Sequence, residues 1–390
     1  QAAIALFTVS SILCALSENI LEITIARLLQ GVGGAMMTPV GRLIILRSVE
    51  KSKFIGTMMW LQVPGQLGPV IGIPLGGFIT TYASWRWNFL TNIPIGILGI
   101  VLAAVYIPNT RAKERRPFDW IGFILSGATL AMLLYGLALL GKPTGEILDG
   151  VLVLTAAFLA GAVAVLHALR RPHPLIDLSL LRIRTFAVNI HAGSLTRYGI
   201  DSVTFLLPLL FQIGFGMTAF DSGMLTLASA IGLVSMRAFA KPLLQKIGFR
   251  SVLIVNGFIT AGTIAFCAVY TQTMSSVFIF VTLAIGGCFR SLQLVALNTI
   301  AYADVPAPGM SSATSFAGMV QQLSNAIAVA IAAIALHALL ALQHTDSLTA
   351  IDFRITLLAM AGISLLGIPL FFALPRNAGS EFSGHVGKAG

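Results

Sequence analysis

The sequence predicts an all-α protein that crosses a membrane many times. Of its 390 residues, 57% are hydrophobic and only 10% are charged, whereas about 25% of the residues in a soluble domain are charged. A chain of this size cannot cover a water-facing surface with so few charges, so most of its area must face lipid. Apolar runs of about 20 residues, the length that spans a bilayer as a helix, recur from one end of the chain to the other.

Twelve apolar segments are candidate membrane-spanning helices, and the loops between them are too short to hold a soluble domain. The first segment is short, and the chain begins at Gln1 rather than Met, so we expect that the N-terminus has been cut. The twelve segments are residues 2–16, 22–46, 54–83, 89–107, 118–141, 148–170, 184–213, 221–244, 250–270, 275–300, 310–342 and 354–374.

The net charge of +10 does not indicate nucleic-acid binding, because the basic residues form short clusters between apolar runs instead of one long basic face. Clusters follow the second, fourth, sixth and eighth segments, whereas the loop after the tenth has none. By the positive-inside rule, these loops and the C-terminal tail are predicted to be cytoplasmic. The clustered residues are Arg47, Lys51, Lys53, Arg111, Lys113, Arg115, Arg116, Arg170, Arg171, Arg182, Arg184, Lys241, Lys246 and Arg250.

A string rich in glycine and proline, GQLGPVIGIPLGG, lies inside the third segment. Glycine and proline are the poorest helix formers, and a proline inside a helix removes a hydrogen-bond donor and kinks the helix. Gly68, Gly72 and Gly76 recur every four residues and so form one bare stripe. Stripes of this kind usually serve close packing between membrane helices, and the spacing alone favours that interpretation.

The same string resembles the antiporter signature of the major facilitator superfamily, G-x-x-x-G-P-x-x-G-G. The match falls on Gly65, Gly68, Pro69 and Gly72, with an isoleucine in place of the last glycine. The resemblance implies that these residues and Gly76 form a gating motif at the interface between two helical bundles. We therefore expect the stripe to face a helix of the opposite bundle and not lipid.

Two neighbouring segments carry further resemblances. ARLLQGVGGA (26–35) is similar to the superfamily's R-x-x-Q-G-x-G-x-A signature. WRWNFLTNIPIG (85–96) and PFDWIG (117–122) resemble elements of its fourteen-span drug:proton antiporters, the EmrB/QacA-like family. Several motifs in this order, on consecutive segments, are more specific than any one alone.

The resemblance covers the whole chain and implies a major facilitator fold, in which the twelve visible helices belong to a set of fourteen. It places the protein in a bacterial-type cytoplasmic (inner) membrane. It divides the chain into the remaining four spans of the N-terminal bundle, two extra linker spans, a C-terminal six-helix bundle and a cytoplasmic tail. These parts are residues 1–108, 109–183, 184–376 and 377–390.

Arg27 lies about one turn inside the second segment, where a charge is costly and usually faces a cavity or a partner. By the resemblance it is the signature arginine, which in this superfamily helps to relay protons by biasing a neighbouring carboxylate. An arginine that snorkels to the membrane interface is the alternative. Gln30, one turn deeper, is a candidate for lining the transport cavity.

Asp201 is the carboxylate nearest to mid-membrane in this sequence, and Arg197 precedes it by four residues. Residues at this spacing can pair along one helix face. The two residues either form a neutralised structural pair or take part in coupling to protons, and the sequence does not separate these interpretations.

Polar residues in later segments are further candidates for lining a substrate cavity. Arg290 lies deep in the tenth segment, and Gln321 and Asn325 share one face of the eleventh. Hydrogen bonding between helices explains these residues adequately as well. Asp119, at the start of the fifth segment, is interpreted as a charge that stabilises a helix N-terminus.

The leading hypothesis is a secondary active transporter that exports amphipathic or cationic organic compounds in exchange for protons by alternating access. A narrow-specificity exporter of a metabolite or natural product and an inactive truncated remnant are the alternatives. The sequence lacks H-E-x-x-H, G-x-S-x-G and G-x-x-x-x-G-K-[ST] motifs, so we expect neither an enzyme nor an ATP-driven pump. We expect no cofactor or metal site. The expected partners are the lipid bilayer, protons and a small organic substrate, with a periplasmic adaptor protein left open.

Overall fold

The computed structural model is all-helical. No strand occurs in the described ranges, so the predicted all-α class is confirmed for them. The structure describes residues 1–49, 82–107, 119–140, 147–172, 174–306, 309–343, 347–375 and 378–379, together with isolated positions between 57 and 80.

The regular elements are fourteen described α-helices, a 3-10 turn at Leu178–Arg182 and a π turn at Leu210–Gly214 that continues α7. The helices are α1 (Ala2–Leu16), α2 (Ile20–Ser48), α3 (Trp87–Leu90), α4 (Asn92–Tyr106), α5 (Trp120–Leu140), α6 (Ile147–Arg170), α7 (Arg184–Leu209), α8 (Ala219–Ser235), α9 (Arg237–Ile247), α10 (Phe249–Phe266), α11 (Ser276–Ile300), α12 (Met310–Gln343), α13 (Ala350–Leu366) and α14 (Ile368–Phe371).

Eight spans among the described residues are long and apolar enough to cross a membrane, or nine if the bent pair α8–α9 is one span. The twelve predicted spans are therefore not all reproduced. Helix α1 is too short, and most of residues 54–83 lie outside the described residues. Helix α7 is long but carries charged and polar side chains along its length. Helices α8 and α9 meet at an angle of 53°.

The chain divides into two compact units. One unit contains residues 1–48 and 64–116, in which α1 packs against α2, α3 and α4. The other contains residues 49–63 and 117–390. In that unit α5 and α6 form a tightly packed pair, and α5 also contacts α12. The division into bundles at residues 108, 183 and 376 stays a prediction.

Helix α7 occupies the centre of the second unit, where it packs against α12 and α13. Its buried side chains include the apolar Leu206 and Leu207 but also the polar Thr196, Arg197 and Ser202. Lipid offers polar groups no hydrogen bonds. The polar face of α7 is therefore stable because neighbouring helices cover it.

Two glycines allow α8 and α11 to touch backbone to backbone. A Cβ added at Gly232 would clash with the carbonyl oxygen of Ala284, and one added at Gly287 would clash with the carbonyl oxygen of Ser229. Small residues at helix contacts let membrane helices approach closely. These reciprocal contacts fix the register between the two helices.

Candidate functional site

Four side chains from α1, α2 and α4 form a continuous hydrogen-bonded network in the first unit. The Arg27 guanidinium donates to Gln30 Oε1 at 2.7 Å, and Gln30 Nε2 donates to Ser11 Oγ at 2.6 Å. Asn92 Nδ2 also donates to Ser11 Oγ, at 3.4 Å, while the hydroxyl donates to the Phe7 carbonyl oxygen at 2.9 Å. The structure thus joins the R-x-x-Q motif to the asparagine of the N-x-P motif through Ser11.

Close helix packing makes this network possible, because short side chains can meet only where backbones approach. A Cβ added at Gly33 on α2 would lie 2.7 Å from the backbone nitrogen of Phe7 on α1. A Cβ added at Gly96 on α4 would clash with the side chain of Thr8 on α1. The two motif glycines therefore hold α2 and α4 against opposite neighbours on α1.

The network runs from an exposed charge to a buried amide. Arg27 is exposed, and its guanidinium lies 5.7 Å from the centre of the Phe89 ring, within range of a cation–π interaction. Gln30 is only 4% exposed. The hydrogen bond of Arg27 is made with a neutral amide. The predicted effect of Arg27 on a neighbouring carboxylate stays a prediction, as does the assignment of Gln30 to a cavity wall.

Ser11→Ala is expected to lower stability, because it leaves the buried Gln30 amide without its acceptor. An unsatisfied buried donor costs about 1–3 kcal/mol. The measurement is the midpoint of thermal unfolding in detergent. Ser10→Ala is the matched control, since the Ser10 hydroxyl bonds only to the Leu6 carbonyl of its own helix. Equal midpoints for the two variants would show that the network contributes nothing to stability.

In the second unit, Arg197 is buried and connects two helices. Its guanidinium donates to Asn298 Oδ1 at 2.7 Å, linking α7 to α11, and the two side chains are 5% and 8% exposed. Asp201 lies one turn further along α7 and is partly exposed. This arrangement fixes the position of the Arg197 charge. A proton-coupling role for Arg197 and Asp201 stays a prediction.

Arg290 lies in the contact between α8 and α11. Its guanidinium donates to Ser229 Oγ at 2.9 Å, and the residue is 5% exposed. On α12, Gln321 is partly buried and Asn325 is exposed. The structure places Arg290 among packed helices of the second unit, and the cavity-lining role of these three residues stays a prediction.

The glycine stripe faces open space at three of its positions. A Cβ added at Gly65, Gly68 or Gly72 would meet no heavy atom within 4 Å, whereas one added at Gly76 would lie 3.5 Å from Asn88 Oδ1. The expected close contact of this face with another helix is therefore not formed at those three glycines. Pro69 lies outside the described residues. The gating role of the motif stays a prediction.

Asp119 does more than cap a helix. As expected for a helix N-terminus, its Oδ1 accepts from the Gly122 backbone nitrogen at 3.0 Å. It also contacts His167 Nε2 at 2.9 Å and, more distantly, Arg171 Nε at 4.0 Å. Its Oδ2 accepts from the Leu175 backbone nitrogen at 3.3 Å. One carboxylate therefore joins the start of α5 to the end of α6 and the segment that follows.

The surroundings of Asp119 favour its charged form. The side chain is 4% exposed, and this burial alone raises the pKa of a carboxyl group. The hydrogen bonds from His167, Gly122 and Leu175, together with the charge of His167, outweigh the burial, so the pKa of Asp119 lies below its ordinary value.

Asp119→Asn is expected to destabilise the α5–α6 pair, because the neutral amide accepts weaker hydrogen bonds than the carboxylate. Since the folded pKa is depressed, the stabilisation is present above the ordinary pKa of about 4 and is lost as the pH falls through the lower folded value. The measurement is unfolding midpoint against pH for the two proteins. Asp149→Asn, an exposed carboxylate at the other end of α6, is the control. Parallel curves for all three proteins would contradict a stabilising Asp119.

Comparison with known proteins is consistent with this helical architecture. The family model of the Major Facilitator Superfamily matches residues 2–329. A relative from Escherichia coli O6:H1, named as a candidate multidrug resistance protein, MdtD, is 36% identical over 384 residues, covering 96% of this chain and 80% of its own. An MdtD from Pectobacterium carotovorum is 35% identical and covers 86% of this chain and 72% of its own.

A solved structure shows the same fold at low sequence identity. The crystal structure of the human organic anion transporter MFSD10 (TETRAN) aligns with a TM-score of 0.62 and 12% identity, over 95% of this chain and 75% of that one. The fold and its apolar helices define a polytopic membrane transporter. The chain belongs to the Major Facilitator Superfamily, with relatives named for multidrug resistance.

Proposed function

We propose that this transporter exports amphipathic or cationic organic compounds from the cell in exchange for protons. The observation that carries the proposal is the network of Arg27, Gln30, Ser11 and Asn92, because it links two motifs that resemble those of drug:proton antiporters. The relatives named for multidrug resistance support the substrate class.

Alternating access by movement of two helical bundles is the proposed transport cycle. The first unit contributes Arg27, which is exposed and held by a single neutral partner on its own helix. A guanidinium held in this way can exchange its amide partner for a carboxylate without leaving a buried charge unpaired. Such an exchange is a means of coupling proton binding to helix movement.

Asp201 is the proposed proton-carrying carboxylate of the described residues. It is partly exposed, and one turn before it Arg197 is held in place by Asn298. A carboxylate that can be reached by water and lies near a fixed positive charge is able to bind and release a proton during each cycle.

The experiment is transport by the purified chain in vesicles with an imposed pH gradient. We expect a pH gradient to drive accumulation of a fluorescent lipophilic cation, and Asp201→Asn to remove the dependence on the gradient. Asp149→Asn serves as the control, since Asp149 is exposed near the start of α6. Equal transport with and without the gradient in the unmodified protein would refute proton coupling, and gradient-driven transport by Asp201→Asn would refute the role of Asp201.

A further inference from the structure

Helices α5 and α6 form a pair whose sides are largely uncovered by protein. Only 17% of the residues in the apolar window of α5 and 6% of those in α6 are buried. A groove of about 350 Å³ runs between the two helices, with Thr129 on one side and Phe158, Gly161 and Ala162 on the other. Its walls are almost entirely apolar. In a bilayer, a surface of this kind faces hydrocarbon.

The groove continues to the end of the helix pair where α5 begins and α6 ends. Val165 borders the main groove and also a second depression of about 50 Å³, whose walls include Gly122, Asp119 and His167. Gly122 and Leu133, which lines the main groove, are eleven residues apart, or about 16 Å along the helix. The continuous groove is therefore elongated, apolar along its length and polar at one end.

Positive charge is concentrated at the polar end. Arg170 is the last residue of α6, and Arg171 follows it; both side chains are exposed or half-exposed. The Arg171 Nε lies 4.0 Å from Asp119 Oδ1, which places this guanidinium beside the mouth of the second depression. Trp120, 66% exposed at the start of α5, is an aromatic residue of the kind found at the membrane–water interface.

We propose that this groove binds an anionic phospholipid, with one acyl chain between α5 and α6 and the phosphate beside Arg170 and Arg171. An apolar groove open to the bilayer matches the chain, and a basic pocket between membrane helices attracts anionic head groups. Asp119 does not cancel the two arginines, because its carboxylate is already occupied by His167 and two backbone N–H groups.

The experiment is native mass spectrometry of the purified full chain with phosphatidylglycerol or phosphatidylcholine of identical acyl chains. We expect the unmodified protein to retain phosphatidylglycerol preferentially. Arg171→Gln is expected to lower this preference about fivefold, the effect of one basic residue near an anionic lipid. Lys246→Gln is the control, because it removes an exposed positive charge at the end of α9, away from the groove.

A second pair of variants tests the acyl-chain groove. Ala162→Phe fills the groove from an exposed position, whereas Val163→Phe adds the same ring at the next residue, which does not line it. We expect only Ala162→Phe to reduce the number of phosphatidylglycerol molecules retained. Equal retention of the two lipids by the unmodified protein, or equal effects within either pair of variants, would overturn the proposal. Displacement of an exported compound without any change in lipid retention would assign the groove to that compound and overturn it too.

Discussion

Replacing Arg27 with alanine is expected to abolish proton-driven export while the protein still inserts into the membrane. Arg27 is exposed, so its removal leaves no cavity, and its lost contacts are one hydrogen bond to Gln30 and one ring contact with Phe89. Stability should therefore change by little, whereas the proposed exchange of partners at the guanidinium becomes impossible. The measurement is gradient-driven uptake of a lipophilic cation into vesicles, normalised to the amount of folded protein.

Arg27→Lys tests whether charge alone is sufficient. Lysine keeps the charge but offers a compact ammonium instead of a planar fork of donors, so we expect partial recovery of export. Arg182→Ala, which removes an exposed arginine in the loop before α7, is the control for loss of charge. Export by Arg27→Ala at the rate of the unmodified protein would eliminate the proposed role.

Gly287→Leu is expected to have the largest effect on folding. The added side chain meets the carbonyl of Ser229 in the backbone of α8, so it cannot be accommodated by a change of rotamer. Overpacking of a well-packed core costs about 1–3 kcal/mol and occasionally more. A clash with backbone belongs at the upper end of this range. We expect little folded protein in detergent, as measured by size-exclusion chromatography and thermal unfolding.

The matched control for this substitution is Gly262→Leu. Gly262 lies in α10, and a Cβ added there meets no atom within 4 Å. Both variants place the same side chain in a membrane helix, and they differ in the contact between α8 and α11. If both proteins fold equally well, the close approach of those two helices is not required for stability.

The sequence predicted the helical fold because composition and apolar runs are properties of local segments. It was less successful with α7, predicted as a span over residues 184–213. The helix forms, but its charged and polar side chains, Arg197 among them, keep it from meeting the criterion for an apolar span. Neighbouring helices bury its polar face, and this compensation is tertiary. A hydropathy pattern within one segment does not record it.

The candidate site could be predicted in part. Arg27 and Gln30 were found through a motif, but Ser11 was not, because one serine in an apolar helix is common and carries no signal of its own. Asp119 was recognised as a helix N-terminal charge, but its contact with His167 joins residues 48 positions apart. Such contacts depend on how helices pair, and a single sequence contains no direct measure of that.

The Ser11 hydroxyl has no bonding capacity left. A serine hydroxyl provides one donor and two acceptor sites, and here the Phe7 carbonyl, the Gln30 amide and the Asn92 amide use all three. A water molecule, proton carrier or substrate group that reaches this oxygen must evict a resident partner before it can bind. Binding at this junction is therefore competitive, and the displaced Gln30 or Asn92 amide carries the event to α2 or α4.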